Sequence, residues 1–189
     1  MERSYKISTL LIGCYLVFQS CSDVRTMLPA VVTPVKAYVA EMSLRQQLVD
    51  TARHYLFVRE ATGQNDGYWI EKWQKNVGLK KKDGWCTAYA VSMHMNCGIP
   101  IPRTGYSPAL FTQNVVHRSS DWRRGFVTKP GQVAGFSGGK RIDHSAIIEQ
   151  QIGSDVFFIE GNYSNSVRRV VRPFDMIYVI ADYIEPIKK

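Results

Sequence analysis

The sequence predicts an α+β domain in which helices come first and an antiparallel sheet follows. Three observations carry that reading. Apolar residues recur at spacings of three and four through the first half, and in short runs bounded by turn residues after Lys129-Pro130-Gly131. The length of 189 residues suits one domain with a substantial core plus a leader, and is short for two. A hydrophobic content of 45% with 21% charged residues fits a folded globular chain and excludes a disordered or low-complexity one.

The first predicted helix is capped by Ser43 and runs to about Arg59, with Leu44, Leu48, Ala52, Tyr55 and Leu56 forming one buried stripe. The glycines and turn formers of Ala61 to Gly67 break it. Tyr68 to Val77 reads as a short amphipathic helix using Trp69, Ile70, Trp73 and Val77; Gly78 ends it, and Lys80 to Gly84 forms a polar loop. Trp85 to Cys97 is the third helix, with Ala88, Val91, Ser92 and Met95 on one side. Gly98 and Ile99-Pro100-Ile101-Pro102 stop it. An irregular stretch follows, with a short helix expected at Ala109 to Val116. The predicted strands are Gln132 to Phe136, Asp143 to Gln150, Val156 to Asn162, Val167 to Val171 and Ile177 to Ile184.

The N-terminus has a different character. Arg3 and Lys6 precede a mostly apolar run, Ile7 to Phe18, which is the pattern of a secretory signal and is too short to span a bilayer. Ser20-Cys21-Ser22 then resembles the lipobox of bacterial lipoproteins, so residues 1–21 are expected to be a signal peptide and Cys21 the lipidation site. Cys14 fits the lipobox letters better, but leaves only a few apolar residues before it. Residues 22–42 are expected to tether a catalytic domain of residues 43–189 to a membrane surface in the cell envelope.

The net charge of +8 resides mainly outside the leader, in Lys80-Lys81-Lys82, Arg123-Arg124 and Arg168-Arg169. These read as solvated faces that add long-range attraction to anionic envelope polymers or lipids. The export signal argues against nucleic acid as a partner.

Beyond the leader, Cys86 and Cys97 are the remaining cysteines, 11 residues apart in one predicted helix. That spacing is about 16 Å along the axis, too far for a disulfide. An exported protein with two unpaired thiols invites the question whether one is a nucleophile. Cys86 sits where a polar loop opens into a helix, so unpaired N–H groups and the helix dipole favour its thiolate and can stabilise an oxyanion. Cys97 has no such setting. A thiol nucleophile needs a base, and histidine is suited to the role. His54 and His94 lie on helices out of easy reach, and His117 reads as exposed in the irregular stretch. His144 begins a strand. The hairpin from residue 143 to 162 brings it opposite Glu160-Gly161-Asn162, where Glu160 or Asn162 can accept the imidazole N–H and orient the ring.

Glu60-Ala61-Thr62-Gly63-Gln64-Asn65-Asp66-Gly67, Gly84-Trp85-Cys86-Thr87-Ala88-Tyr89, Lys129-Pro130-Gly131-Gln132-Val133, Asp143-His144-Ser145-Ala146 and Ile159-Glu160-Gly161-Asn162-Tyr163 occur in this order. Together they resemble the CHAP amidohydrolase/peptidase family of the papain-like, NlpC-type superfamily of cell-wall hydrolases, over about residues 43 to 184. The resemblance implies a papain-like fold, Cys86 as nucleophile, His144 as base and Glu160 as the residue that orients it. Asn162 would be a further polar group near the imidazole or the oxyanion. It implies cleavage of peptide or amide bonds in peptidoglycan by a monomer with no obligatory cofactor. Some members bind calcium through acidic loops; Asn65-Asp66 is too sparse for such a metal site and reads as a turn. Trp85, Tyr106 and Tyr163 are candidates to line the groove. The alternative is a weak or inactive wall-binding lipoprotein of the same fold. Two positions depart from the family: Gln132 stands where it usually has Asp, and Asp143 where Gly often precedes the histidine.

Overall fold

The first helix starts earlier than its sequence pattern predicts, and pairing within the sheet adds a strand to the predicted order. The computed structural model describes residues 24–121, 125–139 and 141–185; Cys14, Cys21 and the rest of the expected signal peptide lie outside them. The chain divides into two units, Met1–Ala40 and Glu41–Lys189. The described part of the first unit is helical, and the second holds the elements below. Among the described residues no helix is long and apolar enough to cross a membrane.

Helix α1 (Val24–His54) begins well before Ser43, which lies inside it and caps nothing. Its end comes earlier than Arg59, because Tyr55 and Leu56 bond back to the carbonyls of Ala52 and Arg53 in a tight last turn. The expected stripe is present: Leu48 and Ala52 are buried, with Leu44, Tyr55 and Leu56 packed partly beneath them. Helix α2 (Tyr68–Asn76) buries Ile70 and Trp73, as its pattern requires. Helix α3 (Cys86–Asn96) is buried at every position from Thr87 to His94. Its environment is core on all sides, which is why it shows no polar face in sequence. Gly98 (φ 70°) takes the left-handed turn that closes it, letting the Ile99 N–H reach back to the His94 carbonyl.

The sheet has six antiparallel strands: β1 (Val115–Arg118), β2 (Val133–Ser137), β3 (Ile142–Ile152), β4 (Asp155–Tyr163), β5 (Ser166–Pro173) and β6 (Val179–Ala181), in the order β1-β6-β2-β3-β4-β5. The helix expected at Ala109 to Val116 is instead a short 3-10 turn, Ser107–Phe111, followed by β1. Pro108 starts the turn, and β-branched Val115 and Val116 suit a strand paired with β6. Alternation assigns the sheet two apolar faces. Val133, Ile147, Ile159, Val179 and Ala181 join the helices, while Ala134, Ala146, Ile148, Phe158 and Ile180 pack with Phe126 and Phe174. His117 belongs to this second layer. It is buried against those two rings, not exposed as the sequence suggested.

Buried charge ties the elements together. Arg45 of α1, 1% exposed, bonds Asp182 at 2.8 Å and the Pro130 carbonyl at 3.0 Å. Gln132 accepts the Lys129 N–H and donates to Asp182, which joins the start of β2 to the same buried carboxylate that Arg45 holds. Glu149 of β3 receives both Arg53 and Arg169; Arg169 is therefore an anchored charge and not merely a solvated one.

Candidate active site

The loop entering α3 is fixed from several sides before it delivers Cys86. Asp83 accepts the Lys80 N–H through its carboxylate, and its own carbonyl receives the Gln74 amide. Asn65 donates its side chain to the Lys82 carbonyl, and Glu60 accepts both the Asn65 N–H and the Trp85 indole N–H at 2.9 Å. Asp66 closes the Glu60–Gly67 loop as a turn, taking the Thr62 N–H and hydroxyl. Among the described residues no group of three His, Cys, Asp or Glu side chains is placed to hold a metal ion.

Cys86 is the first residue of α3, so its own N–H and the next two lie in the unpaired first turn. The thiol is partly exposed at the floor of a cleft of about 350 Å³, whose walls include Asp83, Tyr106, Ser107, Arg141 and Asp143. Two larger grooves, about 450 and 590 Å³, lie along α2 and beside Tyr183, away from any thiol–imidazole pair.

The β3–β4 ladder runs from Ile152↔Asp155 to Ile147↔Ile159. Beyond it, His144 and Glu160 are joined through side chains: the imidazole Nε2 lies 2.8 Å from Glu160 Oε2. The imidazole also lies near enough to the Cys86 sulfur to influence its titration. His144 thus stands between a buried carboxylate it bonds and a thiol whose charge it favours. Burial pushes the Cys86 thiol up. The hydrogen bond and charge of His144, the Ser145 N–H and the Thr87 hydroxyl outweigh that and bring it down to about 7 from an ordinary 9.0.

Glu160 is 0% exposed and forked by Arg172 of β5, whose Nη1 donates to Oε1 and whose Nη2 donates to Oε2 at 3.0 Å. Arg168, directly opposite Glu160 in the ladder, turns to Ser166 instead. The Arg172 guanidinium lies over Phe136 at 4.6 Å and Tyr163 at 5.5 Å, which holds the fork flat.

The structure therefore brings together Cys86, His144 and Glu160. Asn162 takes a left-handed conformation (φ 59°) at an irregularity of the β4–β5 pairing. Its amide nitrogen would lie 3.6 Å from a Cβ placed on Gly84, which sets it beside the loop entering Cys86 and not on the imidazole. Tyr106 is 56% exposed on the cleft wall. Tyr163 sits under Arg172, outside the set of residues that wall the cleft. Trp85 does not line the groove either: it is fully buried, packed on Trp73 and bonded to Glu60. Its large apolar ring gains most by packing in the core, and its indole N–H is satisfied there by Glu60. Cys97 bonds Thr51, far along α3.

Sequence reasoning missed Arg172 and the hydroxyls of Thr87, Ser107 and Ser145. Arg172 could have been suspected because a buried carboxylate requires a cation, although register alone points to Arg168. Compared with known families the chain matches none, and no curated protein matches it.

Proposed function

We propose that this chain is an exported cysteine hydrolase of papain-like type, akin to the CHAP family, that cleaves peptide or amide bonds of peptidoglycan. One observation carries the reading: a cysteine at a helix start opens into a cleft, near an imidazole that is itself bonded to a buried carboxylate. Helices packed on an antiparallel sheet agree with the papain-like architecture.

In this mechanism His144 takes the Cys86 proton and the sulfur attacks the scissile carbonyl. The developing oxyanion is met by the N–H groups of the first turn of α3, with the Asn162 amide close to that loop. Glu160, neutralised by Arg172, keeps the ring oriented without itself changing protonation. His144 then returns the proton to the leaving amine, and water, deprotonated by the same ring, hydrolyses the thioester. No cofactor enters. The enzyme acts as a monomer, held to the envelope by a lipid on Cys21.

The test is mass spectrometry of muropeptides released from purified peptidoglycan by the wild-type protein and by Cys86→Ala. The reading expects new fragments from the wild type alone, whose masses identify the bond. Fragments released equally by both overturn it; no fragments from either leaves a wall-binding protein of this fold as the better description.

A further inference from the structure

Beside the sulfur lies a set of buried hydroxyls that the proposed mechanism does not use. Thr87 Oγ1 is 2.7 Å from Ser107 Oγ and 2.9 Å from Ser145 Oγ, and all three residues are buried. Thr87 Oγ1 and Ser107 Oγ also stand 3.8 and 4.0 Å from Cys86 Sγ. Among the described residues these hydroxyls have no other hydrogen-bond partners.

Counting protons constrains this cluster. Three hydroxyls carry three protons, and the two bonds centred on Thr87 use two of them. If Ser107 and Ser145 both donate to Thr87, the spare proton sits on Thr87 and meets the sulfur. If Ser145 donates to Thr87 and Thr87 to Ser107, the spare proton sits on Ser107 and again meets the sulfur. The remaining ordering leaves it on Ser145, fully buried and without an acceptor, which costs a desolvated donor. A thiolate makes the first two orderings better still, because a charged acceptor strengthens the bond.

We propose that Thr87, Ser107 and Ser145 form a proton-ordered hydroxyl chain whose spare O–H is directed at Cys86 Sγ, making Thr87 and Ser107 positioning residues for the nucleophile. The proposal rests on Cys86 being the nucleophile, not on which bond is cut. Ser107 comes from the 3-10 turn, Thr87 from α3 and Ser145 from β3, so the chain also reports whether three separate elements are docked. The charged and titratable groups facing the sulfur from its surroundings are His144, Asp83, Arg141, Asp143 and Tyr106, and none is altered by the variants below.

The experiment is the pH profile of iodoacetamide alkylation of the full-length protein, read at the Cys86-containing peptide by mass spectrometry. Thr87→Val combined with Ser107→Ala is expected to raise the midpoint by about one pH unit, the size of one charge-assisted hydrogen bond. Thr87→Ser, which keeps the hydroxyl, is expected to return it to the wild-type position. A midpoint unmoved in the double variant overturns the proposal. If that variant loses its folded circular dichroism, Thr87→Ala combined with Ser107→Ala decides instead, because either hydroxyl left alone still reaches the sulfur: an upward shift supports the chain and an unchanged midpoint refutes it. Because the readout is alkylation, a failure of peptidoglycan cleavage and a failure of the hydroxyl chain give separate results.

Discussion

Replacing Arg172 with Leu removes the cation that neutralises Glu160, and the structure sets the size of the effect. The carboxylate is 0% exposed and the guanidinium side chain 16%, so the pair is nearly, but not completely, dry. Breaking a buried pair from one side typically costs 3–5 kcal/mol. The residual exposure of Arg172 and the apolar packing that Leu keeps against Phe136 and Phe158 move the expectation to the low end, about 3 kcal/mol. Urea unfolding at neutral pH, with the slope checked for constancy, measures it. The double variant Arg172→Leu/Glu160→Leu separates pairing from packing. With both charges gone no orphan is buried, so the double loss should fall well short of the sum, with a coupling of about 2 kcal/mol or more. A loss under about 1 kcal/mol for Arg172→Leu, or additivity of the two changes, would refute the view that Glu160 is a charge held by Arg172.

Three further outcomes follow from the packing and the buried titratable groups. His94 is fully buried, its Nδ1 bonded to the Ala90 carbonyl; burial pulls its pKa down to about 4 against weaker upward contributions from the Ala90 and Gly131 carbonyls and Asp182. The unfolded chain therefore binds the extra proton first. Stability should fall as pH drops from about 6.5 to about 4, by roughly 3 kcal/mol if no other group contributes. His94→Gln should flatten that limb of the pH–stability curve, and an unchanged limb contradicts the assignment. A Cβ on Gly161 would lie 2.5 Å from Tyr89 Cβ and 2.9 Å from the Trp85 ring, so Gly161→Ala should lower the thermal midpoint by several degrees. Calorimetry showing no change would place α3 further from β4 than described. Trp85→Phe keeps most of the ring but abandons Glu60, a half-buried acceptor, and should cost about 1 kcal/mol by urea unfolding. A loss near zero would show that the Glu60 loop does not hold the entry to α3.

Much of this architecture could be read from local signals. Gly78 and Gly98 end helices where the pattern stops, and the Trp69, Ile70, Trp73 spacing marks the inner face of α2. The order of helices before strands survives intact. The site was legible for a related reason. A cysteine at a loop-to-helix boundary and a histidine at a strand start are chemistry written into position, and the hairpin leaves few partners for the ring. What escaped depends on the third dimension. β1 is a four-residue strand whose ladder partner, β6, is distant in sequence. His117 reads as a polar loop residue until Phe126 and Phe174 close over it. Arg172 reaches past the position its register assigns, over a stack of rings, so strand arithmetic points to the wrong arginine. Ser107, Thr87 and Ser145 are ordinary residues until folding makes them neighbours.

In the proposed mechanism His144 acts directly on the Cys86 sulfur. Measuring the alkylation midpoint of Cys86 in the wild type and in His144→Ala tests this without any substrate. The wild type should titrate at about 7. Without the imidazole, burial is left opposed only by the Ser145 N–H and the Thr87 hydroxyl, and the midpoint should climb by at least one unit toward the ordinary thiol value. A midpoint that stays near 7 in His144→Ala would show that the imidazole does not govern the thiol.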